Sequence, residues 1–310
     1  MSGADPPLAG DAADLVGGVE TGGSWCVCAL GRGPDDLIAT ERFPTEQPQT
    51  TIARILAFFD APGRPRPRAV GVGAFGPLEL DERSPRWGQV LATTPKPGWA
   101  GAVIGPALRD GLGVPIALET DVGAAAFGEL RWGAGRGAHS LCYLTVGTGI
   151  GAGIVRRGRA VHGLLHPEAA PADPARLCAR SVPGCLPVPR RLLGGARLGP
   201  GAERAMGGEP EVLPEEHSAW PLEAGYLAAG ILAIVMIAAP HRVIVGGGVG
   251  LRAGLLARTR VELTRLLGGY PDRPEFAGDL SEYLVAPALG DLAGALGGLA
   301  LAQEVLIAEV

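Results

Sequence analysis

The stretch that most constrains this chain is LCYLTVGTGIGAGIV, Leu141 to Val155. An apolar, β-branched run enters a turn with Gly147, Gly149, Gly151 and Gly153 at alternate positions, and a second apolar run leaves it. The pattern predicts a β-hairpin whose tip is almost bare backbone. Glycine lets the main chain approach a ligand closely and reach dihedrals closed to other residues. Exposed amides in such a turn form a concave anion site, to which Thr145 and Thr148 add hydroxyls. A plain tight hairpin would explain one such turn equally well. The chain, however, carries a second: LVGGVETGGSWCVCALG, Leu15 to Gly31, with Glu20, Thr21, Gly22, Gly23 and Ser24 at the tip. A third element, HRVIVGGGVG (His241 to Gly250), runs a strand into three glycines. It lies between helical segments, where α/β proteins bind nucleotides at the carboxyl end of a strand. Two glycine-tipped hairpins far apart imply two domains, each offering a phosphate-binding turn to one cleft.

At 310 residues the chain is long enough for two domains with their own cores. Its 50 glycines and 28 prolines are many, yet 47% hydrophobic content and strong periodicity argue against disorder. The net charge of −5, without any basic run, gives no support for nucleic-acid binding. MSGADPPLAGDAADL, at the start, lacks the basic and apolar regions of a signal peptide. Ala224 to Pro240 is the candidate membrane span. It is short, follows Glu223 and leads directly into a strand, so a buried core helix is the expectation. Five unevenly spaced cysteines do not form a disulfide framework, which predicts a cytoplasmic protein.

Periodicity predicts paired strands over Val16–Glu41, a helix over Thr51–Asp60 and a buried strand over Ala69–Phe75. A short helix over Ala102–Gly111, a strand over Val114–Glu119 and a helix from Val122 to Gly133 follow. Ser140 opens the second half, and His166–Pro214 is Pro-, Gly- and Arg-rich without clear period. Helices resume over Ala219–Ala239 and Leu251–Leu267; a strand over Tyr283–Pro287 precedes a C-terminal helix from Asp291. A β-rich opening to each half, then alternating helix and strand, implies α/β architecture.

The three glycine turns resemble those of the sugar-kinase, heat-shock-70 and actin superfamily. Within it the chain is similar to ROK-family sugar kinases of the bacterial fructokinase branch. The residues that carry the resemblance are GGVETGGS, GAFGPLEL, TTPKPGW, ETDVGAAAFGE, LTVGTGIGAG, GLLHPE, VIVGGGV and APALGDLAGALG, in family order along nearly the whole chain. The resemblance implies a two-lobed actin-like ATPase (ribonuclease H-like) fold with a central cleft. Residues 1–121 would form the first lobe, rejoined by a C-terminal helix 291–310, and 122–290 the second. It also implies ATP and Mg²⁺ as cofactors, a sugar or sugar-like small molecule as the partner, neither nucleic acid nor membrane, and a homodimer.

By the same resemblance Asp121 is the general base that takes the proton from the sugar hydroxyl; helix N-capping is its plain alternative. Glu20 would act near Mg²⁺ or the phosphates. Gly22, Gly23, Ser24, Gly147, Thr148 and Gly149 would surround the phosphates, and Gly246, Gly247 and Gly248 would let adenosine lie against backbone. Gly76, Pro77, Lys96, Trp99 and Glu168 would shape the sugar side. Each also has a turn, packing or solvated reading. His162 and His166 are close enough in sequence to raise the question of a metal.

The chain departs from its family where the sugar is gripped. HPEMGH becomes HPEAAP, so Pro171 replaces a histidine that ligates zinc. Only Cys178 and Cys185 remain in the loop, and a closed zinc site wants four ligands, so no structural zinc is expected. Gly123 replaces an asparagine, Trp25 a lysine and Leu292 an asparagine. Lost polar contacts bear on which substrate is accepted. A hexose kinase, a kinase for a modified sugar, amino sugar or cyclitol, and a catalytically silent binding protein are therefore the readings to separate.

Overall fold

The computed structural model describes residues 14–147, 150–164, 166, 214–217 and 219–308. Their backbone forms two five-stranded sheets of the same topology. In the first, β1 (Val16–Thr21), β2 (Trp25–Gly33) and β3 (Asp36–Pro44) make an antiparallel meander. β1 also pairs in parallel with β4 (Val70–Ala74), and β4 with β5 (Ile116–Thr120), giving the order β3-β2-β1-β4-β5. In the second, β6 (Ser140–Val146), β7 (Ile150–Arg156) and the short β8 (Arg159–Ala160) form the meander. β6 pairs in parallel with β9 (Arg242–Gly246), and β9 with β10 (Leu284–Val285).

Among the described residues six α-helices join and cover the sheets: α1 (Pro48–Phe59), α2 (Gly105–Leu112), α3 (Asp121–Trp132), α4 (Ala219–Ala238), α5 (Leu255–Leu267) and α6 (Ala293–Ala308). Helices α1 and α2 cover the first sheet over a core that includes Phe43, Ile55, Phe59, Trp99, Ile104 and Leu108. Helices α4 and α5 cover the second through Trp220, Leu227, Ile231, Leu255 and Leu263.

Helix α6 is apolar all round and sits in the middle of the molecule, against the first sheet on one side and α3 on the other. Glycine makes this approach possible. A Cβ at Gly18 of β1 would lie 2.0 Å from the Ala295 carbonyl oxygen, and one at Gly71 of β4 the same distance from that of Gly298. On the opposite face a Cβ at Gly297 would fall 1.7 Å from the Ala124 carbonyl of α3. The N-terminus of α3 is docked on the second sheet in the same way, a Cβ at Gly153 meeting the Val122 carbonyl at 2.3 Å. Gly151 and Gly153, expected in the turn, are therefore β7 residues that face α3 rather than tip residues.

Several boundaries move from their predicted places. Helix α2 starts at Gly105, with a proline in its first turn, and α5 starts at Leu255, after Gly254 at φ 75°. The last strand shrinks to Leu284–Val285, and α6 begins at Ala293 behind a 3₁₀ turn over Gly290–Leu292. Two helical stretches, Trp220–Ala238 and Gly290–Ala308, are long and apolar enough to cross a membrane by length and composition. The second is the central helix; the first buries one side on α5 and leaves Leu222, Met236 and Ile237 exposed.

Because the α6 contacts are backbone against backbone, Gly297→Ala is expected to lower stability by about 1–3 kcal/mol or more, read as a fall in Tm. Gly230 of α4 is exposed and has open space where a Cβ would stand. Gly230→Ala is expected instead to raise stability by about 0.5–1 kcal/mol through helix propensity.

Candidate active site

The carboxyl-terminal ends of the central strands of both sheets open into one cleft. Its lining includes Glu20 of β1, Gly22, Gly23 and Ser24 of the first turn, Asp121 and Val122 of α3, and Tyr143 and Thr145 of β6. Gly247 and Gly248 after β9, and Gly290, Asp291 and Gly294 around the start of α6, complete it.

Asp121 is the first residue of α3, and Thr120 is the cap: its hydroxyl accepts from the Gly123 amide at 3.0 Å. The capping role is thus filled by another side chain. The Asp121 carboxylate accepts from the adjacent Val122 amide, at 2.9 Å. Burial raises its pKa to about 6 against the lowering effect of that amide, with the nearby Glu119 charge raising it further. Glu20 stands beside Gly294, where a Cβ would come within 2.3 Å of its carboxyl carbon. Burial, then the charges of Asp121 and Asp291, push Glu20 up to about 8, while Arg42 pulls it down. Three carboxylates thus crowd one cleft. Among the described residues no group of three or more His, Cys, Asp or Glu side chains is arranged to hold a metal.

The first glycine turn is held from behind. The Thr45 hydroxyl donates to the Gly22 carbonyl at 2.7 Å, and the Lys96 ammonium to those of Gly23 and Thr45 at 2.5 and 3.1 Å. Lys96, expected on the sugar side, braces this turn and is absent from the cleft lining. After β9, Gly247 has φ 86° and lies under the Val146 carbonyl, where a Cβ would clash at 2.4 Å. A Cβ at Gly246 would meet the Tyr143 hydroxyl at 2.3 Å, so its bareness lets that cleft-lining tyrosine pack against it. Gly147 is described but does not line the cleft; Thr148, Gly149, Glu168, Cys178 and Cys185 lie outside the described residues.

On the other flank, the segment after β8 crosses to the first sheet. His166 is buried against Gly76, and its Nε2 accepts from the Leu78 amide at 3.2 Å. Thr94 donates to the Gly76 carbonyl, and the Pro77 carbonyl accepts from Leu91. His162 pairs with Glu119 at 3.0 Å, a contact that raises the histidine's pKa. Both histidines are thus engaged with the first sheet. Trp99 takes its packing role: it is buried, packs edge-on against Phe75 and donates to the Glu46 carbonyl at 2.8 Å. At Gly123 the lost side chain is accounted for by Glu119, whose Oε1 lies 2.5 Å from where a Cβ would stand.

Residues 16–187 and 214–305 match the ROK family. The chain is 34% identical to a fructokinase from Zymomonas mobilis, over 93% of its own length and 96% of the relative's. It is 32% identical to a fructokinase from Streptococcus mutans, over 94% and 98%. In three dimensions it is similar to the ROK hexokinase of Thermus thermophilus, with TM-score 0.72 and 27% identity over 96% of this chain and all of that one. This chain belongs to the ROK family. Its fold is accordingly the two-lobed actin-like ATPase fold that the sequence resemblance implies.

Several residues of this ROK site carried little sequence signal. Arg42 is an outward residue of an edge strand, and Tyr143 sits inside an apolar strand. Glu129, buried in α3, accepts from the Ala134, Ala288 and Leu289 amides at 2.6, 3.1 and 2.9 Å. It ties α3 to the turn that bears Asp291, a role visible only once the turn is placed.

By carboxyl ¹³C NMR, Asp121 is expected to lose its proton around pH 6. Glu119→Gln removes a neighbouring negative charge and is expected to move that midpoint to lower pH. A midpoint in the ordinary carboxylate range would contradict the buried setting.

Proposed function

We propose that this protein transfers the γ-phosphate of ATP to a hydroxyl of fructose or a related hexose, with Asp121 as the general base. The family match and the fructokinase relatives make it an ATP-dependent sugar kinase, a phosphotransferase acting on a sugar hydroxyl. The observation that carries the role of Asp121 is its place: a half-buried carboxylate, free of capping duty, opening into the cleft between the first glycine turn and the turn after β9. Burial tunes it toward neutrality, where a base is most effective.

Phosphoryl transfer depends mostly on positioning and charge neutralisation. The first glycine turn, braced by Lys96 and Thr45, would bind the phosphates, joined by Gly147, Thr148 and Gly149; Gly246 to Gly248 would lie along the adenosine. Glu20 and Asp291 are the carboxylates that would hold Mg²⁺. The burial that pushes Glu20 to about 8, with the added charges of Asp121 and Asp291, suits a place that receives a cation. Mg²⁺ is commonly bound by one or two carboxylates together with substrate phosphates; bound, it supplies neutralisation of phosphate charge. Glu168, Gly76 and Pro77 would face the sugar, and closure of a lobe 1–121 with 291–310 onto a lobe 122–290 would exclude water. We place the protein in the cytoplasm and read it as a homodimer, for which exposed Leu222, Met236 and Ile237 of α4 offer apolar surface.

One observation favours a modified sugar as acceptor. Glu119, paired with His162, stands where Gly123 lacks a side chain, so an acid–imidazole pair occupies the place of a neutral amide near Asp121. Such a change alters which polar groups are matched on the acceptor.

The test is ATP consumption with Mg²⁺ against a panel of hexoses, amino sugars and cyclitols, beside Asp121→Asn. Turnover on fructose is expected, falling about 10²- to 10⁴-fold in Asp121→Asn. Faster turnover on an amino sugar or cyclitol would select the modified acceptor. No turnover on any of them would leave a binding protein.

A further inference from the structure

Among the described residues that line the cleft, Glu20, Asp121 and Asp291 bring three carboxyl groups and Arg42 is the one basic side chain. A nucleoside triphosphate adds several more negative charges to that space. Glycine-turn amides supply only partial charges, and Lys96 is already committed to the Gly23 and Thr45 carbonyls. The cation is therefore the group in shortest supply.

Arg42 is fixed on two sides. Its guanidinium lies 4.7 Å from the centre of the Trp25 ring, and its Nη1 is 3.3 Å from Asp291 Oδ2. Trp25 follows the first glycine turn directly, and its ring, part-exposed, also lines the cleft. Stacking on an aromatic face holds a guanidinium in a defined plane while leaving its edge donors available. The bond to Asp291 is weak by setting, since the two side chains are 50% and 83% exposed. A phosphate is a stronger, bidentate partner for a guanidinium than an exposed carboxylate.

We propose that Arg42, seated on Trp25, is a catalytic residue that leaves Asp291 to bind the terminal phosphates of the nucleotide. This rests on the kinase reading of the cleft. No bond to carbon or phosphorus forms at Arg42; the guanidinium keeps its protons and offsets charge on the transferring group. Trp25 is then a positioning residue, and its substitution for lysine relocates the site's cation to the neighbouring strand rather than deleting it. Asp291, released, is free to join Glu20.

Calorimetry on the full chain with Mg²⁺ and either AMPPNP or AMP tests this without turnover. Arg42→Gln is expected to weaken AMPPNP binding about 10- to 100-fold and to leave AMP binding unchanged. Arg42→Lys should recover part of the loss, and Trp25→Leu should show a smaller loss confined to AMPPNP. In the kinase assay Arg42→Gln is expected to lower kcat about 10²-fold. Unchanged AMPPNP affinity, or an equal loss for AMPPNP and AMP, would overturn the proposal. If the wild-type chain phosphorylates no sugar, the kinase reading fails. The AMPPNP-against-AMP comparison still decides whether Arg42 binds the terminal phosphates.

Discussion

The structure depends on the contact of α6 with its surroundings at backbone distance. Gly18 and Gly71 present bare strand to its carbonyls at Ala295 and Gly298, and Gly297 presents bare helix to the Ala124 carbonyl of α3. Side chains would hold these elements apart by roughly the 10 Å spacing of packed layers; without them the layers close. Everything functional follows from that closeness. Gly294, at the start of the same helix, lets Glu20 approach, and α3, pressed on the other side, carries Asp121. The cleft is thus assembled around one helix whose position admits little tolerance, because packed interiors transmit rather than absorb displacement.

That assembly concentrates charge. Glu20, Asp121 and Asp291 come from a strand, a helix and a turn far apart in sequence, and the two aspartates raise the cost of ionising Glu20 further than burial alone does. Two carboxylates in one site separate in pKa, so that one is ionised near neutrality while the other keeps its proton. Here Asp121 is raised to about 6 and Glu20 to about 8, burial being the largest cause for both. Arg42 opposes the crowding and sits at the rim rather than in the centre.

The architecture was legible because its signals are periodic and local. Each half opens with a glycine-tipped hairpin and continues into parallel strands, and the two sheets repeat one strand order. Asp121 was legible through the strand-to-helix junction and the family motif around it. What escaped depends on tertiary placement. Gly151 and Gly153 look like tip residues because glycine has the same letter whether it frees a turn or admits a helix; only the Val122 carbonyl at 2.3 Å distinguishes them. Lys96 looks like a substrate contact until the Gly23 carbonyl is found under its ammonium. Arg42 belongs to no motif at all: its meaning comes from Trp25 on the next strand and Asp291, 249 residues away.

The sugar flank shows the same logic in reverse, where a lost side chain is answered by a neighbour. Removing the side chain at position 123 opens a volume beside Asp121, and Glu119 fills it, held by the Thr120 amide at 2.8 Å and by His162. The two contacts made by His162 and His166 bind the segment after β8 to the first sheet. A carboxylate in that volume is committed three ways and cannot yield cheaply to an asparagine. Gly123 and Glu119 are therefore one packing unit in physical terms, although Asp121 lies between them in the sequence. The Glu119–His162 contact, which raises the histidine's pKa, thus joins the segment after β8 to β5 beside Asp121.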